Sequence, residues 1–242
     1  MEIDGDKKIF GPELSTPETD NSVIIPVRGL KGGRTYSYRV KVNGVPIQNS
    51  YEGLITTLPD DYENTMTKIA VGTCYHRWGL GNMRLAEQIM SHKPAALLLG
   101  GDIAVQDRMN NTGMHRADYL LRDFYPAWKK LVASVPVYAT WDDHDYFGND
   151  LFNVPKSYSK EDKEAVWKVF RYSWNNPSFG FGEKEKGVFF RTRIGPADII
   201  MLDHRYFREK GALLGKEQMK WLEEQLIDCK GPFIILSNGT MW

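Results

Sequence analysis

The segment of residues 140–150 concentrates side chains that can bind cations or transfer protons. Four aspartates, one histidine and one asparagine fall within nine residues: Asp142, Asp143, His144, Asp145, Asn149 and Asp150. Carboxylate and amide oxygens beside an imidazole suit a divalent cation, and the histidine can also donate a proton. The alternative is an acidic turn, because Asp, Asn and Gly also favour turns and helix starts.

Two shorter clusters contain further potential metal ligands. Cys74 and His76 stand two residues apart, and a thiolate and an imidazole can both bind a transition metal. In the sequence Gly100-Gly101-Asp102 the glycine pair permits a sharp backbone turn, which leaves the carboxylate free to bridge two metals. Taken alone, the first cluster is better explained as a buried cysteine beside a surface histidine, and the second as an ordinary strand-to-loop turn.

The segment 202–208 supplies a fourth cluster, in which two arginines could bind phosphate. Arg205 and Arg208 can present several N–H donors in a fork that lysine cannot match. The alternative is that both arginines are solvated or paired with carboxylates.

Each polar cluster follows a predicted β-strand. Short apolar runs predict strands, which cover 68–73, 95–100, 135–140, 187–194, 197–202 and 232–237. Helical spacing of apolar residues predicts helices, which cover 83–91, 113–133 with a break at Pro126, 158–174 and 215–228. This alternation predicts a layered α/β domain. Ligands of open α/β sheets bind beyond the carboxyl ends of the strands, so we expect the clusters to meet there as a dinuclear metal site.

The first quarter of the chain has a different pattern. Strand-like runs and turn residues predict an all-β region, with strands at 22–25, 35–42 and 52–57 and turns at 31–34 and 43–44. Their spacing predicts a partial β-sandwich of the immunoglobulin or fibronectin type in residues 1–62. The change of composition near Pro59 predicts that a second domain covers residues 63–242.

The composition excludes several classes of protein. Lys plus Arg and Asp plus Glu both number 31, so the net charge near zero argues against a general binder of nucleic acids or anionic membranes. Two cysteines are too few for a disulfide-stapled scaffold. No apolar run is long enough to span a membrane, and the first residues lack the pattern of a signal peptide. The sequence predicts no oligomeric state.

From about residue 67 onward the sequence resembles the PhoD-like (alkaline phosphatase D) branch of the calcineurin-like metallophosphoesterases. The resemblance rests on several motifs, of which Trp-Asp-Asp-His-Asp is the most specific: residues 70–74, 99–102, 141–145 with 148–150, 202–208, 215–223 and 237–242. It implies an αββα metallophosphoesterase domain that hydrolyses phosphate monoesters or diesters, of small molecules or polymers, with a metal-activated water. It also implies a periplasmic or extracellular location.

The resemblance implies two or more divalent or trivalent metal ions, with Ca, Fe, Zn and Mn as candidates. By position, Cys74 would bind one metal and Asp102 would bridge the two. Asp143 and Asn149 would bind the second metal. Members with an iron and calcium centre carry a tyrosine where this chain has Val105, so we hypothesise that His76 supplies the missing ligand.

The same resemblance assigns residues to the substrate. His144 would hydrogen-bond the phosphate and protonate the leaving group. Arg205 and Arg208 would contact the phosphate. Asp142 and Asp145 would orient the metal ligands.

One segment of the family pattern is missing from the sequence. The later Gly-Asp-x-His motif, whose acid and histidine complete the site, does not occur before Trp242. The expectation is therefore an α/β domain truncated at its C-terminal end. The alternative function is a non-catalytic module that keeps the fold.

Overall fold

The computed structural model describes residues 1–3, 9–47, 53–59, 65–183 and 186–240. In the first quarter the strands are β1 (Glu2–Ile3), β2 (Thr35–Arg39), β3 (Lys41–Val42), β4 (Val45–Pro46) and β5 (Gly53–Thr56). β1, β2 and β5 form an antiparallel sheet in the order β1-β2-β5, and β3 and β4 form the predicted hairpin around Asn43-Gly44. The assignment to a sandwich stays a prediction, and the domain boundary at residues 62 and 63 lies outside the described residues.

The predicted strand at 22–25 was wrong. These residues pair with no strand in the described part of the chain, and the side chains of Val23 and Ile24 are 44% and 59% exposed. The segment is instead attached near the end of a helix, where the Ser22 hydroxyl donates to the carbonyl of Tyr172 at 3.3 Å. A β-branched run predicts a strand only when a partner strand is available.

The larger part of the chain begins with a three-stranded parallel sheet. Its strands are β6 (Ile69–Gly72), β7 (Ala96–Leu99) and β8 (Val137–Ala139), in that spatial order. The connections are helical: α1 (His76–Leu80), α2 (Met83–Ser91), α3 (Thr112–Phe124) and α4 (Pro126–Val132). Asn82 caps α2 through the N–H of Leu85, and Pro126 begins α4 because its fixed φ suits the first helical turn.

A second, mixed sheet follows. After α5 (Asp143–Tyr146) and α6 (Lys160–Ser173), β9 (Phe190–Ile194) and β10 (Ala197–Met201) pair antiparallel. The chain then crosses through α7 (Gly215–Asp228) to β11 (Phe233–Ser237), which pairs parallel with β10 at the edge of the sheet. No described helix is long and apolar enough to cross a membrane.

The side chains of β7 alternate between two cores. Leu97 and Leu99 pack among the helices, while Ala96 and Leu98 pack against the second sheet. On the far side of that sheet, Ile200 of β10 packs with Leu222 of α7. The layers therefore follow the order helices, sheet, sheet, helix, and the predicted mixed α/β fold is confirmed. The ends of β6, β7, β8 and β10 all lead into the polar clusters found in the sequence.

Candidate metal centre

Two groups of potential metal ligands meet at Asp102. One group contains Cys74, His76 and Asp102, and the other contains Asp102, Asp143 and His144. Within each group the candidate ligand atoms all lie within 4.8 Å of one another. Because both groups share one carboxylate, the arrangement suits two cations bridged by Asp102.

Two buried atoms in these groups have no hydrogen-bond partner among the described residues. They are Nδ1 of His76 and Oδ1 of Asp102. Buried polar atoms are normally satisfied, so these two need a partner of another kind. A thiol, an imidazole and carboxylates are the donors that borderline transition metals accept, and the donor set therefore fits a metal.

The backbone at this centre is strained. Cys74, His76, Asp102 and Asp107 are not glycines, yet their φ angles are 53°, 43°, 54° and 51°. Such conformations cost about 1–3 kcal/mol each and cluster at functional sites. Two hydrogen bonds between the loops oppose this cost: Cys74 N–H donates to the carbonyl of Gly101 at 3.0 Å, and His76 N–H donates to that of Asp102 at 3.1 Å.

Gly101 allows the loop that carries Asp102 to approach the loop that carries Asp142. Its φ is 112°, and a Cβ at this position would overlap the backbone nitrogen of Asp142. No other residue fits both requirements.

Asp145 holds the ligand loops together. Its fully buried carboxylate accepts backbone N–H groups from Asp102, from Ile103 at 3.0 Å and from Asp142 at 3.3 Å. Burial and the nearby charge of Asp102 raise the pKa of this carboxyl to about 7, although the three hydrogen bonds act in the opposite direction. Asp145 therefore positions Asp102 rather than presenting free oxygens to a cation.

Arg205 lies within the centre and is only 3% exposed. Its Nε donates to Oδ1 of Asp142 at 2.7 Å, one terminal nitrogen donates to Thr240 at 2.9 Å, and the guanidinium is 3.7 Å from Asp143. Burial raises the pKa of Asp142, and Arg205 partly offsets that rise. Burial alone would also raise the pKa of Asp143, but the Asp150 N–H, Arg205 and His144 lower it overall.

His144 is oriented by Asp107, a residue that the sequence did not single out. Nδ1 of His144 donates to Oδ1 of Asp107 at 2.7 Å, and the same oxygen accepts the N–H of Asn149 at 3.1 Å. Burial lowers the pKa of His144, but the Asp107 hydrogen bond and the charges of Asp102, Asp107 and Asp143 raise it overall. Its ring centroid is 6.2 Å from that of His76.

Asp203 connects its own loop, which carries Arg205, to the loop that carries Trp141. Its buried carboxylate accepts the indole N–H of Trp141 at 2.7 Å and the backbone N–H groups of Val188, Arg205 and Tyr206, each at 2.9 Å. The side chain of Gln218, on α7, completes this connection by hydrogen bonds with the N–H and the carbonyl of Asp203. Asp203 lies in the 202–208 cluster, but the sequence suggested no role for it. The sequence did contain a signal for Gln218. This polar residue stands four positions before Leu222, on the apolar side of α7, where a buried polar side chain needs a partner.

The remaining predicted site residues have these positions. The exposed Asn149 donates its side-chain amide to Asp150 at 3.1 Å. The guanidinium of Arg208 lies over the ring of Phe152 at 4.8 Å. Val105, at the position where the resemblance implies a tyrosine in iron and calcium centres, is fully buried in the apolar core. The predicted roles of Asn149, Arg205 and Arg208 stay predictions, as do those of Cys74, His76, Asp102, Asp143 and His144.

Comparisons with known proteins identify the family and the fold of this chain. The PhoD-like phosphatase family matches residues 69–242. The solved structure of PhoD is similar with a TM-score of 0.73 and 21% identity, over 97% of this chain and 54% of that chain. The purple acid phosphatase PPD1 from yellow lupin (Lupinus luteus) seeds is similar with a TM-score of 0.59 and 13% identity, over 87% of this chain and 37% of that chain. This chain thus spans about half the length of the PhoD chain. The comparison with curated proteins found no match. Since the family match covers more than half of the sequence, the chain belongs to the PhoD-like phosphatase family.

Proposed function

We propose that this chain takes part in the metal-dependent hydrolysis of phosphate esters. The observation that supports this most directly is the pair of ligand groups that share Asp102, in a member of a phosphatase family. The proposal extends to an αββα metallophosphoesterase domain, a sandwich-like first domain, and small or polymeric phosphate esters as substrates. A location outside the cytoplasm belongs to the same proposal.

Cys74, His76, Asp102, Asp143 and Asn149 would hold the metal ions. When bound, such ions act as Lewis acids and acidify a water molecule. His144 would donate a proton to the leaving oxygen, and the hydrogen bond of its Nδ1 to Asp107 leaves Nε2 for that transfer. Arg205 adds positive charge beside Asp143, and Asp142 prevents its guanidinium from moving.

Metal content and ester hydrolysis measured on the same preparation test this function. We expect elemental analysis to find bound metal in the purified full chain, and we expect hydrolysis of p-nitrophenyl phosphate or bis-p-nitrophenyl phosphate. The preferred ester separates a monoesterase from a diesterase. A His76→Ala variant should contain less metal, and unchanged metal content would refute the role of His76. If the wild-type chain contained no metal and hydrolysed neither ester, the non-catalytic module would be the remaining function.

Replacing Asp107 by asparagine should lower kcat/KM for the better ester about tenfold to hundredfold, because the charge that orients His144 is lost. The metal content should not change, since Asp107 is in neither ligand group. Steady-state kinetics of Asp107→Asn, His144→Ala and the double variant check this. The asparagine should have no further effect once His144 is removed. Additive losses in the double variant would show that Asp107 acts independently of His144.

A further inference from the structure

A pocket of about 440 Å³ lies beside the candidate metal centre. Its walls are the segments 150–156 and 208–210, which follow the Trp-Asp-Asp-His-Asp loop and the Arg205 loop. Both walls are connected to the centre by hydrogen bonds. Asp150 N–H donates to the ligand oxygen Oδ2 of Asp143 at 2.6 Å, and Asn153 N–H donates to the carbonyl of Arg205 at 2.7 Å. A phosphate held at Asp143 would therefore lie near this pocket.

The lining of the pocket combines apolar side chains with positive charge. The apolar members are Leu151, Phe152, Val154 and Pro155, and the cations are Lys156, Arg208 and Lys210. Two acids also line it, Asp150, which accepts the side-chain amide of Asn149, and the exposed Glu209, so the three cations exceed the acids by one. Apolar surface with a few placed charges is the usual composition of a small-molecule site.

Within the described part of the chain, the three cations lack acidic partners. No carboxylate among the described residues lies within ion-pair distance of Lys156, Arg208 or Lys210, whereas Arg108 and Arg205 in the same part of the fold are both paired. Arg208 is also half-buried, with its guanidinium over the ring of Phe152. This contact occupies the face of the guanidinium and leaves its edge, with the N–H donors, available for a planar anion.

The pocket wall is held in place before any ligand arrives. The hydroxyl of Tyr146 donates to the carbonyl of Asn153 at 2.5 Å, and the ammonium of Lys163 donates to the side chain of Asn153 at 3.0 Å. On the opposite wall, Glu209 and Ala212 exchange two backbone hydrogen bonds. A wall fixed in this way loses little entropy when it binds a ligand.

We propose that this pocket binds the alcohol part of the phosphate ester and that Arg208, with Lys156 and Lys210, selects esters carrying a second negative charge. This inference rests on the proposed hydrolysis at the metal centre. It assigns Arg208 to the second charge of the substrate and leaves the reacting phosphate to the residues around Asp143.

Binding of non-hydrolysable probes to the metal-loaded full chain tests the proposal. The probes are alkylphosphonates of increasing chain length and the matched ω-carboxyalkylphosphonates, measured by isothermal titration calorimetry. At one chain length the carboxylate should tighten binding about tenfold, which is the expected effect of a charge-assisted hydrogen bond. In Arg208→Gln this ratio of affinities should fall to about one. Lys220→Gln, an exposed lysine on α7, is the matched control for a general loss of charge and should keep the ratio.

The outcomes separate this inference from the proposed function. A carboxylate that gives no gain at any chain length, or a gain that survives in Arg208→Gln, overturns the pocket assignment even when p-nitrophenyl phosphate is hydrolysed. A gain that is lost in Arg208→Gln supports the assignment. If that gain appears without hydrolysis of any ester, the pocket is an anion site and only the proposed function fails.

Discussion

Replacing Asp102 by asparagine is expected to remove metal from both halves of the centre and to reduce ester hydrolysis by more than about a hundredfold. Asp102 is the one residue common to both ligand groups, so its charge counts toward both cations. Loss of groups that merely orient metal ligands already costs about 10–100-fold, and a bridging ligand should cost more. Asparagine has nearly the shape of aspartate, so the loop that Asp145 holds through the Asp102 N–H should persist.

Elemental analysis and steady-state kinetics of the same preparation check this result. Glu223→Gln, which neutralises an exposed acid on α7, is the matched control and should keep both metal and activity. Circular dichroism should show that Asp102→Asn remains folded. Full metal content in folded Asp102→Asn would contradict a bridging role, and the two ligand groups would then have to bind independently.

Replacing Asp203 by alanine is expected to lower the free energy of unfolding by at least about 3 kcal/mol, because every buried donor left without an acceptor costs about 1–3 kcal/mol. Four donors lose their acceptor in this variant: the indole N–H of Trp141 and the backbone N–H groups of Val188, Arg205 and Tyr206. Such a loss is a large fraction of the roughly 5–15 kcal/mol that stabilises a typical domain.

Urea unfolding followed by tryptophan fluorescence measures this effect. Asp228→Ala is the matched control, because Asp228 is 59% exposed and forms a surface ion pair with Arg191. Its removal should cost far less, because exposed ion pairs contribute little to stability. Equal destabilisation by the two substitutions would show that the Asp203 hydrogen bonds are replaced by water in the variant.

Local patterns in the sequence predicted most of the α/β region. Helix α7 covers Gly215–Asp228 as expected, and the predicted interruption at Pro126 separates α3 from α4. Both depend on side-chain spacing and on the backbone restrictions of proline, which are local properties. The strand expected at 22–25 failed because pairing with a partner strand is not a local property. The run 35–42 was predicted as one strand, but it divides into β2 and β3 because its two parts pair with different strands.

The sequence predicted those residues of the candidate site that directly follow the end of a strand. Cys74, Asp102 and Asp143 follow β6, β7 and β8, and the parallel arrangement of these strands brings them to one edge of the sheet. Asp107 could not be identified in this way, because it reaches His144 through a loop of irregular backbone. The distant partners of Asp203 are Trp141, Val188 and Gln218, which come from three separate segments that only the tertiary structure brings together.

The outer strand of the second sheet combines an unpaired edge with exposed apolar side chains in the described part of the chain. Within the described residues β11 pairs only with β10, so its other side presents backbone N–H and C=O groups to whatever lies beside it. Phe233, Ile234 and Leu236 on this strand are 62%, 45% and 41% exposed, and no lysine or proline interrupts 233–237. Natural edge strands usually carry charges or prolines that prevent backbone pairing between molecules. We therefore expect molecules of the isolated chain to associate through the edge of β11.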